Sequence, residues 1–165
     1  PHLRPWRDGW RHLRFMLLYC PRWLFLYPGA ALMIAGGTLG AWQLLQGAAQ
    51  RGDEGMEAST LLLASAAVLL GFQGVAFAFC ARIYALIEGL LPQDERLEHL
   101  FRYFTLETGL TVGGVLALVG LVGCVRVALG QSTLLLAIPS ATALCLGGQA
   151  IFTSFLLSFL GLRRR

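Results

Sequence analysis

Charged residues are scarce in this sequence, which holds 13% charged and 56% hydrophobic residues in a chain of 165. The mean hydropathy of +0.65 reflects far more apolar side chain than a soluble domain of this length can bury. This balance excludes a free soluble domain and makes the bilayer part of the solvent. Four membrane spans of roughly 20 residues each, with their connections, use nearly the whole chain and leave no room for a separate soluble enzyme.

Lysine is absent, since all 13 basic residues are arginines, and the formal net charge is +4. A positive charge is typical of nucleic-acid binding, but these arginines stand beside the hydrophobic segments. Their placement instead indicates contact with the headgroups of membrane lipids, so we predict membrane lipids as partners and no nucleic acid.

Paired metal-ligand spacing is also absent. The cysteines stand singly in or beside apolar runs, and the histidines are scattered, at Cys20, Cys80, Cys124, Cys145, His2, His12 and His99. We interpret the cysteines as ordinary buried thiols. The spans offer no activated nucleophile and no acid–base pair, so we predict no catalytic residue, no metal site and no cofactor in this chain.

The apolar runs predict an all-α membrane protein with four transmembrane helices arranged as two hairpins. Within a transmembrane domain of residues 21–165, we expect spans at about 22–45, 60–82, 106–129 and 133–162. The polar stretch 46–59 is predicted to be an external loop. The third span is rich in glycine, which lets a neighbouring backbone come close and also favours association with a second copy of the chain.

Two further segments are predicted to be amphipathic helices in the membrane surface. In residues 1–20, tryptophans and leucines share one stripe and arginines cluster about a quarter-turn away, which indicates an interfacial coupling helix. Residues 93–104 show a similar division of apolar and charged side chains. Eleven of the arginines fall on one side of the predicted membrane and two on the other, which predicts a multi-pass membrane protein with both termini cytosolic.

The second and fourth spans resemble each other. The run Leu70-Gly71-Phe72-Gln73 is similar to Leu146-Gly147-Gly148-Gln149, and phenylalanine and leucine follow each run at matching distances. We predict that these spans are equivalent members of two helix pairs. Because both cross in the same direction, the repeat is parallel, which disfavours a transporter built from inverted repeats.

The candidate functional residues are polar groups at or within the membrane. Gln73 and Gln149 lie inside spans, where an amide needs a partner: either an interhelical hydrogen bond or a polar lipid group. Five arginines near the cytosolic boundary either extend to headgroups or grip a lipid phosphate: Arg11, Arg14, Arg22, Arg82 and Arg102.

Several motifs, in this order, resemble the C-terminal membrane region of bacterial family 2 glycosyltransferases of the polyprenyl-phosphate (dolichol-phosphate-like) type. They are Arg7-Asp8-Gly9-Trp10-Arg11-His12-Leu13-Arg14-Phe15, Pro21-Arg22-Trp23-Leu24-Phe25-Leu26-Tyr27-Pro28-Gly29, Gly71-Phe72-Gln73, Ala81-Arg82-Ile83-Tyr84-Ala85, Gly89-Leu90-Leu91-Pro92, Phe104-Thr105-Leu106-Glu107 and the ending 154–162. The resemblance implies a preceding cytosolic catalytic lobe, Rossmann-like, which takes a nucleotide sugar and a divalent metal. No Asp-x-Asp motif occurs here, and the chain begins as if cut from something longer.

The resemblance therefore favours the membrane domain of a glycosyltransferase-like protein. Such a domain anchors an N-terminal catalytic lobe and positions a polyprenyl phosphate for sugar transfer, and alone it is expected to be inactive. Two alternatives stay open: a small membrane protein that moves lipid-linked sugars or other solutes, and a structural or oligomerisation module. A transporter would need a polar path at mid-membrane, for which Gln73 and Gln149 are a thin supply.

Overall fold

The computed structural model describes residues 6–12, 22–47, 54–87, 106–131 and 134–162, and the regular structure within these ranges is helical. The long helices are α1, α2, α3 and α4, with bounds Tyr27–Gly47, Glu54–Ile87, Leu106–Ala128 and Leu134–Leu162. Four segments are long and apolar enough to cross a membrane: Arg22–Leu45, Gly55–Leu86, Leu106–Ala128 and Leu135–Leu160. The predicted all-helical chain with four candidate spans is confirmed.

A π-helical turn, Arg22–Leu26, comes directly before α1. Pro28 is the second residue of α1 and has no backbone N–H, so it cannot donate a hydrogen bond to the carbonyl of Leu24. A wider turn is one way in which a helix accommodates such a gap.

Helix α2 begins at Glu54, within the stretch 46–59 that the sequence predicts to be a loop. The last residues of that stretch are helical because they carry good N-terminal signals: acidic side chains at Glu54 and Glu57 favour the positive end of the helix. Ser59 donates a hydrogen bond to the carbonyl oxygen of Gly55 at 2.8 Å, and Thr60 donates one to that of Met56 at 2.9 Å. These hydroxyls are therefore satisfied within the first turns.

Helix α3 ends in a Schellman motif. Gly130 has a φ of 71°, which glycine adopts without a Cβ penalty. Its N–H bonds the carbonyl of Val127 at 3.0 Å, and the N–H of Gln131 bonds the carbonyl of Arg126 at 2.9 Å. The predicted end of the third span, near residue 129, agrees with this motif.

Helices α1 and α2 pack antiparallel through glycines, and we call them the first pair. A Cβ at Gly71 would lie 2.5 Å from the carbonyl oxygen of Gly29, and a Cβ at Gly36 would lie 2.6 Å from that of Ala64. Both distances are far below a normal contact, so these backbones touch where the side chain is a single hydrogen. This close contact we call the glycine seam of the first pair.

Helices α3 and α4, the second pair, have a glycine seam of the same design. A Cβ at Gly113 would lie 2.9 Å from the carbonyl oxygen of Gly147, and a Cβ at Gly120 would meet the backbone of Ser140 and Leu144. The predicted close approach at the glycines of the third span is confirmed. The seam positions correspond one to one: Gly29 to Gly113, Met33 to Ala117, Gly36 to Gly120, Ala64 to Ser140, Val68 to Leu144 and Gly71 to Gly147.

The four helices lie in a row. Extensive packing between described residues joins α1 to α2, α2 to α4 and α4 to α3, whereas the other pairs of long helices hardly touch. The apolar core among the described residues accordingly lies on the inner helix α2, at Leu61, Ala64, Ala76, Ala78, Ile83 and Ala85.

Residues 6–12 are helical, as predicted for the start of the first amphipathic segment. The rest of that segment and all of the second, 93–104, lie outside the described residues, and the division into domains 1–20 and 21–165 stays a prediction.

Candidate functional site

The end of the first pair that carries Arg22 and Arg82, here called the arginine end, brings two of the five predicted arginines together. The turn Arg22–Leu26 packs on α2, and the rings of Phe25 and Phe77 are edge to face with centroids 4.7 Å apart. In an antiparallel pair this contact places Arg22 level with Cys80. Arg82 is two residues further on, which is about 3 Å of helix rise.

The two arginines differ in their surroundings. Arg22 is exposed, whereas Arg82 is half-buried and its Nε atom is buried within the protein. An arginine held in this way has a fixed position on a rigid helix. The first pair therefore combines one half-buried arginine with one exposed arginine.

Aromatic side chains surround the arginine end. Trp23 and Tyr27 have ring centroids 5.0 Å apart at a tilt of 53°. Trp23 is 77% exposed, Tyr27 54% and Tyr84 43%. Tryptophan and tyrosine are typical of the interface between bilayer and water, where an apolar ring body and a polar edge both find partners. The arginine end thus has the composition of a headgroup-level surface.

The same end of the second pair is built differently. Leu106 and Ser158 occupy the positions that correspond to Arg22 and Arg82, and Gly109 occupies that of Phe25. A Cβ at Gly109 would collide with the side chain of Ser154, so α3 and α4 stay in close contact here. The second pair is closed at this end, where the first turn of α3 carries the acidic Glu107 and the described residues include no arginine, whereas two phenylalanine rings fill the corresponding space of the first pair.

The other predicted arginines are not joined to this site. Arg11 is exposed in the helical segment 6–12, and no contact among the described residues brings it to Arg22 or Arg82. Arg14 and Arg102 lie outside the described residues. The sequence analysis did not single out Phe25 and Phe77, and no spacing in the sequence indicated their ring contact.

The two glutamines occupy different environments. Gln73 is exposed on α2, whereas Gln149 on α4 is half-buried, with an Oε1 atom that is buried and has no hydrogen-bond partner among the described residues. The interhelical hydrogen bond expected at this oxygen is therefore not observed. Several hydroxyls in the spans bond instead to carbonyls of their own helices: those of Thr38, Thr111, Ser140, Thr142 and Ser154.

Metal-ligating residues are dispersed. Within the described ranges no group of three or more histidine, cysteine, aspartate or glutamate side chains could hold a metal ion. Cys80, Cys124 and Cys145 are free thiols. The chemistry that the arginine end can supply is the binding of an anionic group at the edge of an apolar helix pair.

These features define a helical membrane domain with a charged and aromatic surface at one end. Residues 79–161, about half of the chain, match the family described as the glycosyltransferase family 2 C-terminal transmembrane region, and the chain belongs to this family. The predicted association with family 2 glycosyltransferases is confirmed, while the polyprenyl-phosphate type and a bacterial origin stay predictions.

One relative is the low-salt glycan biosynthesis hexosyltransferase Agl6 of Haloferax volcanii, an archaeon. It is 35% identical to this chain over 173 aligned residues, which cover 97% of the chain and 40% of the relative. The chain thus spans about two fifths of the length of that relative. No solved structure matches the chain.

Proposed function

We propose that this chain is the membrane domain of a family 2 glycosyltransferase, which anchors a catalytic lobe and positions a polyprenyl phosphate to receive a sugar from a nucleotide sugar. Two findings support the proposal: the family to which the chain belongs, and a relative that is named a hexosyltransferase and is longer than this chain. A divalent metal, where one is needed, would belong to the catalytic lobe.

The difference between the two helix pairs at the arginine end carries the proposal. The helix pairs share their glycine seams, yet Arg22 and Arg82 occur only in the first pair, where the second has Leu106 and Ser158. The glycine seams bring the backbones together in both pairs without these arginines, so the arginines are not part of the contact that the two pairs share. Arginine forms charge-assisted hydrogen bonds with phosphate oxygens, and an isoprenoid chain is apolar enough to lie along the helices. The role of the site is positioning, which holds the acceptor at the correct depth for transfer.

The proposal includes an orientation of the helix pairs in the membrane. The two antiparallel pairs act as two hairpins across the membrane, with the arginine end on the cytosolic side and both termini beside it. The segments 1–20 and 93–104 lie in the cytosolic surface of a bacterial inner membrane and connect the spans to the catalytic lobe. In this arrangement the acceptor phosphate, the coupling helix and the lobe all meet at one face.

Lipid binding tests the site directly. Native mass spectrometry would compare a polyprenyl phosphate with the matching uncharged polyprenol on the wild type, Arg82→Gln, Arg22→Gln and Arg126→Gln. Arg126 is a matched control, because it is exposed in the last turn of α3, at the far end of the molecule. A charge-assisted contact contributes about 1.5–3 kcal/mol, so we expect Arg82→Gln to weaken phosphate binding roughly tenfold or more and to leave polyprenol binding unchanged.

General attraction between arginines and anionic lipid would give another pattern. Each of the three variants would then lose a similar, small amount of affinity, and salt would screen the effect. That result would contradict a phosphate site at the arginine end and would leave a membrane anchor without acceptor recognition.

A further inference from the structure

The contact between the two pairs uses different faces of the equivalent helices α2 and α4. One lengthwise face of α2 is exposed, and its members are spaced three or four residues apart, as one side of a helix requires. We call this face the open stripe of α2: Leu63, Ala66, Leu70, Gln73 and Phe77.

The corresponding face of α4 is covered. The residues of α4 that match the open stripe are all half-buried: Pro139, Thr142, Leu146, Gln149 and Thr153. Helix α3 packs on another face of α4, the one that holds Gly147 and Leu144 in the glycine seam. Since α2 is the other described long helix that packs extensively on α4, α2 covers this face.

A second face is exposed on α4 and covered on α2. On α4 a large apolar surface, here called the open face of α4, is exposed, with Phe152 at 75% and Phe159 at 72%. Ala141 and Cys145 extend it along the helix. The matching residues of α2 are half-buried or buried: Ser65, Leu69, Ala76 and Ile83. Helix α2 therefore uses this second face to contact α4.

The contact between the pairs is thus head-to-tail: one surface of the repeat binds a different surface of the next. Each chain contains two copies of both surfaces and joins only one of each. The open stripe of α2 and the open face of α4 are the unused halves of a contact that already forms within the chain. A second copy of the chain offers surfaces that match both halves.

We propose that this protein self-associates by repeating its internal contact, with the open face of α4 in one copy packed on the open stripe of α2 in the next. Successive spans alternate in direction across a membrane, so α2 and α4 run the same way and the copies share one orientation. Repeated head-to-tail contacts about an axis normal to the membrane close into a ring where the rotation per copy divides a full turn.

Gln73 argues against lipid as the occupant of the open stripe. It is exposed near the middle of the candidate span Gly55–Leu86, where hydrocarbon offers an amide no hydrogen bond. Polar residues within membrane spans almost always face protein or a cavity. Its counterpart Gln149 is half-buried in the internal contact, although its Oε1 has no hydrogen-bond partner among the described residues. The proposed contact would therefore cover Gln73 with protein instead of hydrocarbon, without a new bond to that oxygen.

Disulfide cross-linking between two tagged full-length chains tests the contact. Cys20, Cys80 and Cys124 are changed to alanine in both chains. One chain keeps Cys145, and the other carries Cys145→Ala with Leu70→Cys or, in a second version, Ala66→Cys. Cys145 corresponds to Leu69 of α2, so it should lie level with this part of the stripe in the neighbouring copy. A disulfide forms only when the two Cα atoms approach within about 7 Å.

We expect oxidation in the membrane to link the two differently tagged chains, with either stripe variant. Leu118→Cys on α3 is the control, because this side chain is 64% exposed but lies on neither surface. Linkage of Leu70→Cys to its own copies instead of to Cys145 would show a face-to-face contact and overturn the head-to-tail proposal. Linkage no greater than with Leu118→Cys, for both stripe variants, would show that lipid covers these faces and would also overturn it.

Discussion

The two helix pairs are alike along their length and differ at one end. Both have glycine seams at corresponding positions, such as Gly29 with Gly71 and Gly113 with Gly147, where a Cβ would meet backbone atoms. At the arginine end, however, Phe25 and Phe77 pack ring to ring in the first pair, while Gly109 allows the second pair to close. The shared glycine positions set the distance between the helices, whereas the positions that differ give each pair its own packing and its own surface at this end.

The comparison distinguishes the packing that both pairs share from the features of one pair. The seam positions that bring two antiparallel helices together are present in both copies of the repeat. Arg82 has only Ser158 as its counterpart, and Gln73 differs from Gln149 in exposure. These differences direct attention to the arginine end and to the open stripe of α2, whereas the abundant glycines need no function beyond packing.

The largest loss of stability is expected from substitutions in the glycine seams, and it should be similar in the two pairs. A Cβ at Gly71 would lie 2.5 Å from the Gly29 carbonyl oxygen and 2.6 Å from the Met33 nitrogen. Both are backbone atoms, so the helices must separate, and we expect Gly71→Ala to lose about 1–3 kcal/mol of unfolding free energy. Gly147→Ala should lose a similar amount. Reversible unfolding in mixed detergent micelles would measure both.

The matched control is Gly148→Ala, because nothing lies within 4 Å of a Cβ at that position. It should be neutral or should stabilise the protein by about 0.4–1 kcal/mol, since alanine restricts the unfolded chain. A loss at Gly148 as large as that at Gly147 would show that an added methyl group destabilises this helix without meeting a backbone, and would contradict the contact assigned to Gly147.

An intermediate effect is expected from the ring contact that only the first pair has. Edge-to-face aromatic pairs contribute about 0.5–1.5 kcal/mol, and Phe25 and Phe77 have that geometry. A double-mutant cycle of Phe25→Ala and Phe77→Ala should give a coupling energy in this range, measured by the same unfolding assay. Additive losses would contradict a direct contact and would remove this difference between the pairs.

The smallest effect is expected at the glutamine of the second pair. The Oε1 atom of Gln149 is buried without a hydrogen-bond partner among the described residues, so replacing this amide removes no observed bond from that oxygen. We expect Gln149→Leu to leave unfolding free energy unchanged or to raise it by about 1 kcal/mol. A clear loss of stability would show that this amide has a partner after all.

Hydropathy alone predicts most of the fold, because a span needs about 20 apolar residues whatever its neighbours are. Helix α2 begins before the predicted start of the second span, near residue 60, because hydropathy does not register that an acidic residue such as Glu57 favours a helix start. The glycines of the third span indicated close packing, but the seam at Gly29 and Gly36 was not foreseen. The order of helices in the row was also beyond prediction, because helices that are apolar on every side show no preferred partner.

The site was predictable only in part, for a related reason. Position in the sequence shows that Arg22 and Arg82 fall near the same boundary, but side-chain burial depends on packing. The half-buried environment of Arg82 and the exposure of Gln73 follow from which faces of α2 are covered by α1 and α4. That choice of faces becomes visible only when the helices are placed together.

The separate glycine seams have a consequence for the order of assembly. The seam residues of α1 contact α2, and those of α3 contact α4, so neither pair needs the other to bring its backbones together. During synthesis α1 and α2 leave the ribosome before α3 and α4, so the first pair can form first. The chain is therefore expected to enter the membrane as two successive units, with the charged and aromatic end established first and the connection between α2 and α4 made last.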